Sequence, residues 1–163
     1  MFTKDHLLNQ LRHETKICKH LHSKLEAKHV DQKLGDNMRS TIELMRYLSC
    51  CGIVPAQSLV ANDWSKAGDS IKEMDTMNAD GFAKAMDAQM AALEELLGGY
   101  SDADLASKQA TMPWGTTVSL GEALVTTSLS FMTAYRMQLF LHLKAGGRSE
   151  LTTANCWMGS DPS

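Results

Sequence analysis

The stretch Ser119–Gly147, SLGEALVTTSLSFMTAYRMQLFLHLKAGG, is the longest uninterrupted helical pattern in the chain. Ser119 is a typical N-cap, and Glu122, three residues later, completes a capping box. The double glycine at 146–147 ends the helix, because glycine readily adopts the left-handed conformation of a helix C-terminus. The residues at helical spacing that are predicted to face the core are Leu120, Ala123, Leu124, Thr127, Phe131, Ala134, Tyr135, Gln138, Leu141 and His142.

The composition is that of one globular domain. The chain has 163 residues, of which 44% are hydrophobic and 21% charged, and this length can bury a sizeable core. A net charge of −3 provides no basic surface, so a nucleic-acid partner is not expected. The four cysteines, at positions 18, 50, 51 and 156, show no CxxC spacing, which favours reduced thiols in a cytoplasmic protein.

Neither secretion nor membrane insertion is predicted. The N-terminal MFTKDHLLNQL carries charges where a signal peptide would have its apolar core. Only the Ser119–Gly147 helix has the length to span a bilayer, and Glu122, Arg136 and Gln138 within it argue against this. The sequence therefore predicts a soluble protein without a membrane partner.

Three further helices precede the 119–147 helix, which we call helix 4. Helix 1 is predicted over Thr3–Ala27, helix 2 from the capping box at Ser40 to Gly52, and helix 3 from Asn78 to the double glycine at 98–99. The segment Ile53–Met77 is predicted to be irregular, with a short helix after its proline, and 100–118 to be a loop. No stretch shows the alternation of a strand. These features predict an all-α four-helix bundle over 1–147, with a C-terminal tail over 148–163 that packs on the bundle or is partly flexible.

Three stretches in this order and spacing resemble the DinB-like superfamily of four-helix bundles: Met38–Leu48, Pro113-Trp114-Gly115, and Tyr135–Leu139 followed by Leu143–Gly147. The resemblance covers nearly the whole chain and implies the same bundle. Metal-binding members resemble one another in carrying one histidine on helix 2 and an H-x-x-x-H pair on helix 4. Some relatives are metal-dependent thiol transferases.

This sequence departs from that pattern at each ligand position. The residues that match the ligands are Tyr47 on helix 2 and Phe131 and Tyr135 on helix 4, and none is a histidine or a carboxylate. Loss of the family metal site is therefore predicted, with no metal and no cofactor. Two functions stay open: a non-catalytic or small-ligand-binding bundle, and a metal-dependent transferase or hydrolase that uses other ligands.

The histidines and cysteines do not predict a metal site or a reactive thiol. His6, His13 and His20 recur every seven residues, about 10 Å apart per step, on the side of helix 1 that is predicted to face solvent. Cys50 and Cys51 lie at the C-terminus of helix 2, where the helix dipole disfavours a thiolate, so they are predicted to be unreactive.

Polar residues on the predicted core faces define the candidate ligand pocket. Each helix contributes one near its middle, and the set with the neighbouring aromatic position is Glu14, Tyr47, Gln89, Phe131, Tyr135 and Gln138. They predict either a buried hydrogen-bonded network or a small pocket left where relatives hold a metal. Glu14 is expected to meet one or both of the hydroxyls of Tyr47 and Tyr135 there.

Helix 4 has more apolar surface than one bundle face needs. Around Arg136 lies a second strip made of Val125, Leu129, Met132, Leu139, Phe140 and Leu143. A helix that is apolar over most of its circumference is buried over most of it. We therefore predict a homodimer formed through helix 4.

Overall fold

The structure is a computed structural model that describes residues 3–162. Within that range the α-helices are α1 (Lys4–His22), α2 (Thr41–Leu48), α3 (Ile53–Ala61), α4 (Ala67–Lys72), α5 (Phe82–Gly98), α6 (Asp102–Ser107), α7 (Leu120–Leu124) and α8 (Ser130–Ala145). π-Helical turns cover Val125–Leu129 and Ala154–Met158, and short 3-10 turns cover Ala27–His29, Glu73–Thr76 and Ala79–Gly81. Strands β1 (Gln109–Thr111) and β2 (Thr117–Ser119) pair in antiparallel fashion.

The predicted all-α bundle is confirmed. Helix 1 corresponds to α1, helix 2 to α2, helix 3 to α5, and helix 4 to α7 and α8 with the π turn between them. The core lies where α1 packs against α5 and α8, α2 against α8, and α3 against α5 and α7. The predicted C-terminus of helix 1 at Ala27 is wrong, since α1 ends at His22 and is followed by turns.

Helix 2 begins as its capping box predicts. Glu43 accepts a hydrogen bond from the backbone N–H of Ser40, and the Ser40 side chain accepts one from the N–H of Glu43. The short helix predicted after Pro55 is present as α3, but it begins earlier, at Ile53, after a break of four residues, 49–52. The rest of the segment is less irregular than predicted, because it contains α4. Pro55 lies in the first turn of α3, where a missing N–H breaks no helical hydrogen bond.

Gly52 is required at this break because helices meet there. A Cβ at this position would lie 2.7 Å from the sulfur of Met132 on α8 and 3.1 Å from Oε1 of Gln89 on α5. A larger residue would force the side chains of Met132 and Gln89 to shift.

The π turn Val125–Leu129 changes which face of helix 4 is buried. It inserts one extra residue into the helix, and the Ser130 hydroxyl donates to the carbonyl of Val125, five residues earlier. Before the turn the predicted face is buried; after it the buried residues are Met132, Arg136, Leu139, His142 and Leu143. The core positions predicted for Phe131, Ala134, Tyr135, Gln138 and Leu141 are therefore wrong: Ala134 and Leu141 are exposed, and the other three are half-buried.

This shift also affects the prediction of a homodimer. Met132, Leu139 and Leu143 of the second apolar strip are fully buried within the chain. Leu141, with 47% of its surface exposed, is the large apolar residue of α8 that remains open to solvent in the described structure. The homodimer stays a prediction.

The hairpin β1–β2 was predicted as a loop. Its strands have three residues each, too few to show an alternating pattern in the sequence. The hairpin turns at Gly115, whose φ of +91° favours glycine. The indole N–H of Trp64 donates to the carbonyl of Thr111 and ties the segment after α3 to β1.

One stretch of the described chain is long and apolar enough to cross a membrane, Thr41–Ala61, which contains α2 and α3. The expectation that only Ser119–Gly147 has the necessary length is therefore wrong. In its most apolar window, 67% is buried inside the fold, which is typical of a core helix in a soluble protein. A cytoplasmic location stays a prediction.

The segment after Gly147 lies along α1. The side chains of His13 and Lys16 contact the carbonyls of Trp157 and Met158, and Lys24 pairs with Asp161. The predicted exposure of His13 and His20 on a free solvent face is therefore wrong, since His20 also contacts the Asn155 amide.

Candidate functional site

Glu14 has a different partner from the one predicted. Its carboxylate accepts two hydrogen bonds from the guanidinium of Arg136, Nε to Oε2 at 2.8 Å and Nη2 to Oε1 at 3.2 Å. Both side chains are buried, and Arg136 also donates to the Cys156 carbonyl at 2.8 Å. The expected contact of Glu14 with Tyr47 and Tyr135 is wrong, because the π turn brings Arg136 to face α1 in place of Tyr135.

Arg136 is held on its remaining side by the C-terminal segment. Its guanidinium carbon lies 4.7 Å from the ring centroid of Trp157. Burial alone lowers the pKa of Arg136, but the hydrogen bonds and the charge of Glu14 outweigh it and raise the pKa. The pair is thus structural, and it leaves no free group for a ligand.

Gln89 also has a structural role. Its Oε1 accepts hydrogen bonds from the N–H groups of Gly52 (2.8 Å) and Ile53 (3.2 Å), and its Nε2 donates to the Leu48 carbonyl (3.0 Å). These three backbone groups lie at the break between α2 and α3, where the helical ladder cannot satisfy them. Gln89 therefore replaces backbone hydrogen bonds and does not face the tyrosines.

Tyr47 and Tyr135 do come together, as the matching of both to ligand positions suggested. Their ring centroids are 4.7 Å apart, with an angle of 70° between the planes. The guanidinium carbon of Arg39 lies 4.3 Å from the Tyr47 centroid and 5.6 Å from that of Tyr135. Neither hydroxyl makes a hydrogen bond to any described residue. Burial, followed by the neighbouring Tyr135, raises the pKa of Tyr47, so this phenol is neutral at physiological pH.

A cleft of about 490 Å³ opens beside this cluster. We call it the Arg39 cleft, and its lining residues are Lys33, Asp36, Asn37, Met38, Arg39, Glu43, Arg46, Tyr47, Ile71 and Asp75. Residues 33–39, which precede α2, form one rim, and residues 71–75, at the end of α4 and in the following 3-10 turn, form the other. The floor is the exposed side of α2.

Two of the six charged residues in the cleft are engaged in the fold. Glu43 caps α2 through the Ser40 N–H, which lowers the pKa of its carboxyl, and Arg46 donates from Nε to the carbonyl of Met77 at 2.9 Å. The other four, Lys33, Asp36, Arg39 and Asp75, form no hydrogen bond or ion pair with residues 3–162. Two cations and two carboxylates therefore remain available to a ligand.

The thiol next to the cleft is not a nucleophile. Burial raises the pKa of Cys50 to about 12; Arg39 opposes this and Asp75 adds to it. Its Sγ donates a weak hydrogen bond to the Tyr47 carbonyl at 3.3 Å. The thiol is therefore protonated at neutral pH, in line with the unreactive role expected for it.

The remaining predicted pocket residues, Phe131 and Gln138, lie one turn before and one turn after Tyr135. Both are half-buried on the same flank of α8, and neither lines the Arg39 cleft. Within residues 3–162, no group of three or more His, Cys, Asp or Glu side chains is arranged to hold a metal ion.

The sequence analysis missed the rims of the cleft. Arg39, Lys33 and Asp75 are exposed charges in or near irregular segments, a position that by itself has no functional meaning. One signal was present, since Arg39 immediately precedes the capping box of α2 and a capped helix end fixes the direction of the residue before it.

The fold is similar to a solved structure, the crystal structure of a DinB-like protein, YjoA, from Bacillus subtilis. The TM-score is 0.70 at 14% identity, and the match covers 90% of this chain and 95% of the other. The DinB-like fold implied by the sequence is therefore confirmed. No protein-family model matches the sequence, and a search of curated proteins gives no match.

Proposed function

We propose that this DinB-like chain is a non-catalytic, small-ligand-binding protein, and that the ligand carries an anionic group bound by Arg39. The observation that carries the proposal is the position of the Arg39 guanidinium, stacked on Tyr47 and close to Tyr135, without an acceptor among the described residues. A guanidinium presents a planar set of N–H donors that fits a carboxylate or phosphate.

The aromatic pair supports this role by limiting the motion of the arginine. Stacking on an aromatic ring contributes about 0.5–1 kcal/mol at an exposed site, and it leaves the edge of the guanidinium free to donate. A side chain that is already positioned loses less conformational entropy when the ligand binds. The cleft volume of about 490 Å³ also lies within the usual range for small-molecule sites, roughly 300–1,000 Å³.

The chemistry of the neighbouring groups favours binding over catalysis. Cys50 and Tyr47 both have raised pKa values and stay protonated near neutral pH, so neither supplies an anionic nucleophile. The alternative function, a metal-dependent transferase or hydrolase, has no observation among residues 3–162 in its favour. Elemental analysis of protein purified without chelator or metal-affinity resin tests that alternative.

The direct test of the proposal is calorimetric titration at low salt with 3-phenylpropanoate, 4-methylpentanoate and inorganic phosphate as probes. We expect at least one probe to bind, and Arg39→Gln to weaken that binding about tenfold or more. A hydrogen bond to a charged group contributes about 1.5–3 kcal/mol, and about 1.4 kcal/mol corresponds to a factor of ten.

The matched control is Arg12→Gln. Arg12 is also an exposed arginine, but it pairs with Glu94 between α1 and α5, away from the cleft. Its substitution changes the net charge by the same amount and should leave the affinity unchanged. Absence of binding for all three probes, or equal losses for the two variants, would overturn the proposal.

A further inference from the structure

The rim of the Arg39 cleft formed by residues 33–39 has a net positive charge from Lys33, Asp36 and Arg39, and the other rim carries Asp75. This distribution of charge restricts the class of ligand. Arg39 belongs to the rim formed by residues 33–39, and Asp75 to the rim formed by residues 71–75. Both face the same cleft, and they do not form an ion pair with each other. Each is also without any other hydrogen-bond or ion-pair partner in the described part of the chain.

Both charges act electrostatically on the Cys50 thiol, which lies just after α2. Burial dominates the raised pKa of Cys50, but Arg39 lowers that pKa and Asp75 raises it, so the two charges act on one point from opposite rims. The guanidinium of Arg39 lies against the Tyr47 ring on α2 and forms no ion pair with Asp75 in the described part of the chain. The cleft thus keeps a cation and a carboxylate apart.

We infer that the ligand of the Arg39 cleft is a small zwitterion, with a carboxylate on Arg39 and an ammonium group on Asp75, as in a free amino acid. This inference rests on the proposed function and specifies its substrate class. A ligand with only a negative charge would leave Asp75 unpaired, and its negative charge would lie close to that of the Asp75 carboxylate. A zwitterion pairs with both rims, and its remaining side chain lies over the apolar surface of Ile71 and Tyr47.

The segment that carries Asp75 is suited to close on such a ligand. Neither α4 nor the 3-10 turn Glu73–Thr76 contains a buried residue. The segment is tied down at its end, where Arg46 donates to the Met77 carbonyl. A ligand that bridges Arg39 and Asp75 would therefore restrain residues 67–76.

The experiment compares ligands that share one skeleton and differ only in charge. One series is phenylalanine, 3-phenylpropanoate and 2-phenylethylamine, and the other is leucine, 4-methylpentanoate and 3-methylbutylamine. Titrations are made at neutral pH and low salt, since exposed charges are screened at high ionic strength. In at least one series we expect the zwitterion to bind ten times more tightly than either single-charge analogue.

Two variants test which residue binds which charged group of the ligand. Asp75→Asn should reduce the affinity for the zwitterion to that for the carboxylate analogue, and should not weaken the carboxylate analogue itself. Arg39→Gln should weaken both. Asp80→Asn, an exposed aspartate outside the cleft, and Arg12→Gln are the matched controls and should behave as the wild type.

A second measurement does not depend on the variants. Amide hydrogen exchange in residues 67–76 should slow when the zwitterion is added and should not slow with the carboxylate analogue at equal saturation.

The two proposals fail in different ways. If the carboxylates bind through Arg39 but the zwitterions bind no more tightly, or if Asp75→Asn has no effect, the inference is wrong and the proposed function stands. If no member of either series binds, the inference is wrong, and if inorganic phosphate does not bind either, the proposed function is wrong as well.

Discussion

Arg136 and Glu14 show how one ion pair can decide where a helix packs. Arg136 is fully buried and Glu14 is 5% exposed, and each supplies hydrogen bonds that the other needs. Burying either charge alone would cost several kcal/mol, at least about 3 in proteins where one partner of such a pair is removed. The position of α8 against α1 therefore depends on both residues.

We expect Glu14→Gln and Glu14→Leu both to destabilise the protein, by about 3–5 kcal/mol for the leucine variant and by less for the glutamine. Glutamine retains one acceptor for Arg136 but no charge. The double variant Glu14→Leu/Arg136→Met should recover most of the loss, because an apolar pair of similar volume needs no partner. The urea denaturation midpoint is measured for each of the three variants and for the wild type. Equal midpoints for the wild type and Glu14→Leu would show that the pair does not stabilise the fold.

His142 makes the free energy of unfolding depend on pH. It is buried on α8 with Nδ1 3.0 Å from the Thr41 hydroxyl. Burial lowers its pKa below the ordinary value of 6.5, and a contact with the Gln32 backbone opposes this. The unfolded chain therefore binds a proton at a higher pH than the folded chain does. The contribution of His142 to stability is complete above about pH 7 and is lost as the pH falls through the folded pKa.

We expect the urea midpoint of the wild type to fall between pH 7.5 and 5, and His142→Gln to make this fall shallower. The control is His6→Gln, at an exposed histidine in the first turn of α1, where glutamine can also accept the capping hydrogen bond from the Thr3 N–H. A slope that is the same in His142→Gln and the wild type would contradict the assignment.

Among the helices, α8 shows where prediction from sequence succeeded and where it could not. The starts of α2 and α7 were predictable because a cap is local: Ser40 and Ser119 each bond a backbone N–H three residues ahead. The π turn was not predictable from the sequence, because inserting one additional residue into a helix requires no particular residue type. Its effect was large, since the predicted core positions from Phe131 to Leu141 are not the fully buried ones, although His142 is buried as predicted.

The same reasoning applies to the candidate site. The meeting of Tyr47 and Tyr135 followed from their positions on facing helices. The pairing of Glu14 with Arg136 did not follow from the sequence, because it depends on the helical register after the π turn. The cleft itself depends on how two irregular segments approach each other, and their exposed charges lack a periodic pattern that could reveal this.

The π turn can be tested by shortening the helix. Deletion of Thr126, an exposed residue within the turn, should leave a regular α-helix with Leu124 and Met132 still on one face. We expect this variant to fold with a thermal midpoint within a few degrees of the wild type. Deletion of Ala134, an exposed residue in the regular part of α8, should instead rotate Arg136 and Leu139 out of the core by about 100° and prevent folding. Unfolding of the Thr126 variant would contradict the role given to the turn.

For the complete molecule, assembly is the open question. A homodimer through α8 would now have to cover Leu141, because the large apolar residues of the second strip are buried in the core or pack against it. We expect light scattering at micromolar concentration to give twice 17.9 kDa, and Leu141→Glu to give 17.9 kDa. Trp114→Glu, at an exposed residue of the hairpin turn, is the control and should stay dimeric. A wild-type mass of 17.9 kDa would contradict the homodimer.

The contact of Arg136 with Cys156 also imposes an order on the synthesis of the protein. The ribosome releases the chain from its N-terminus at about 5–20 residues per second, so Glu14 emerges long before Arg136, and Cys156 emerges 20 positions after Arg136. Until that carbonyl is available, the guanidinium has to keep part of its hydration shell, and the seam between α1 and α8 stays open. The nascent bundle therefore cannot close this seam until residues 151–158 have left the ribosome.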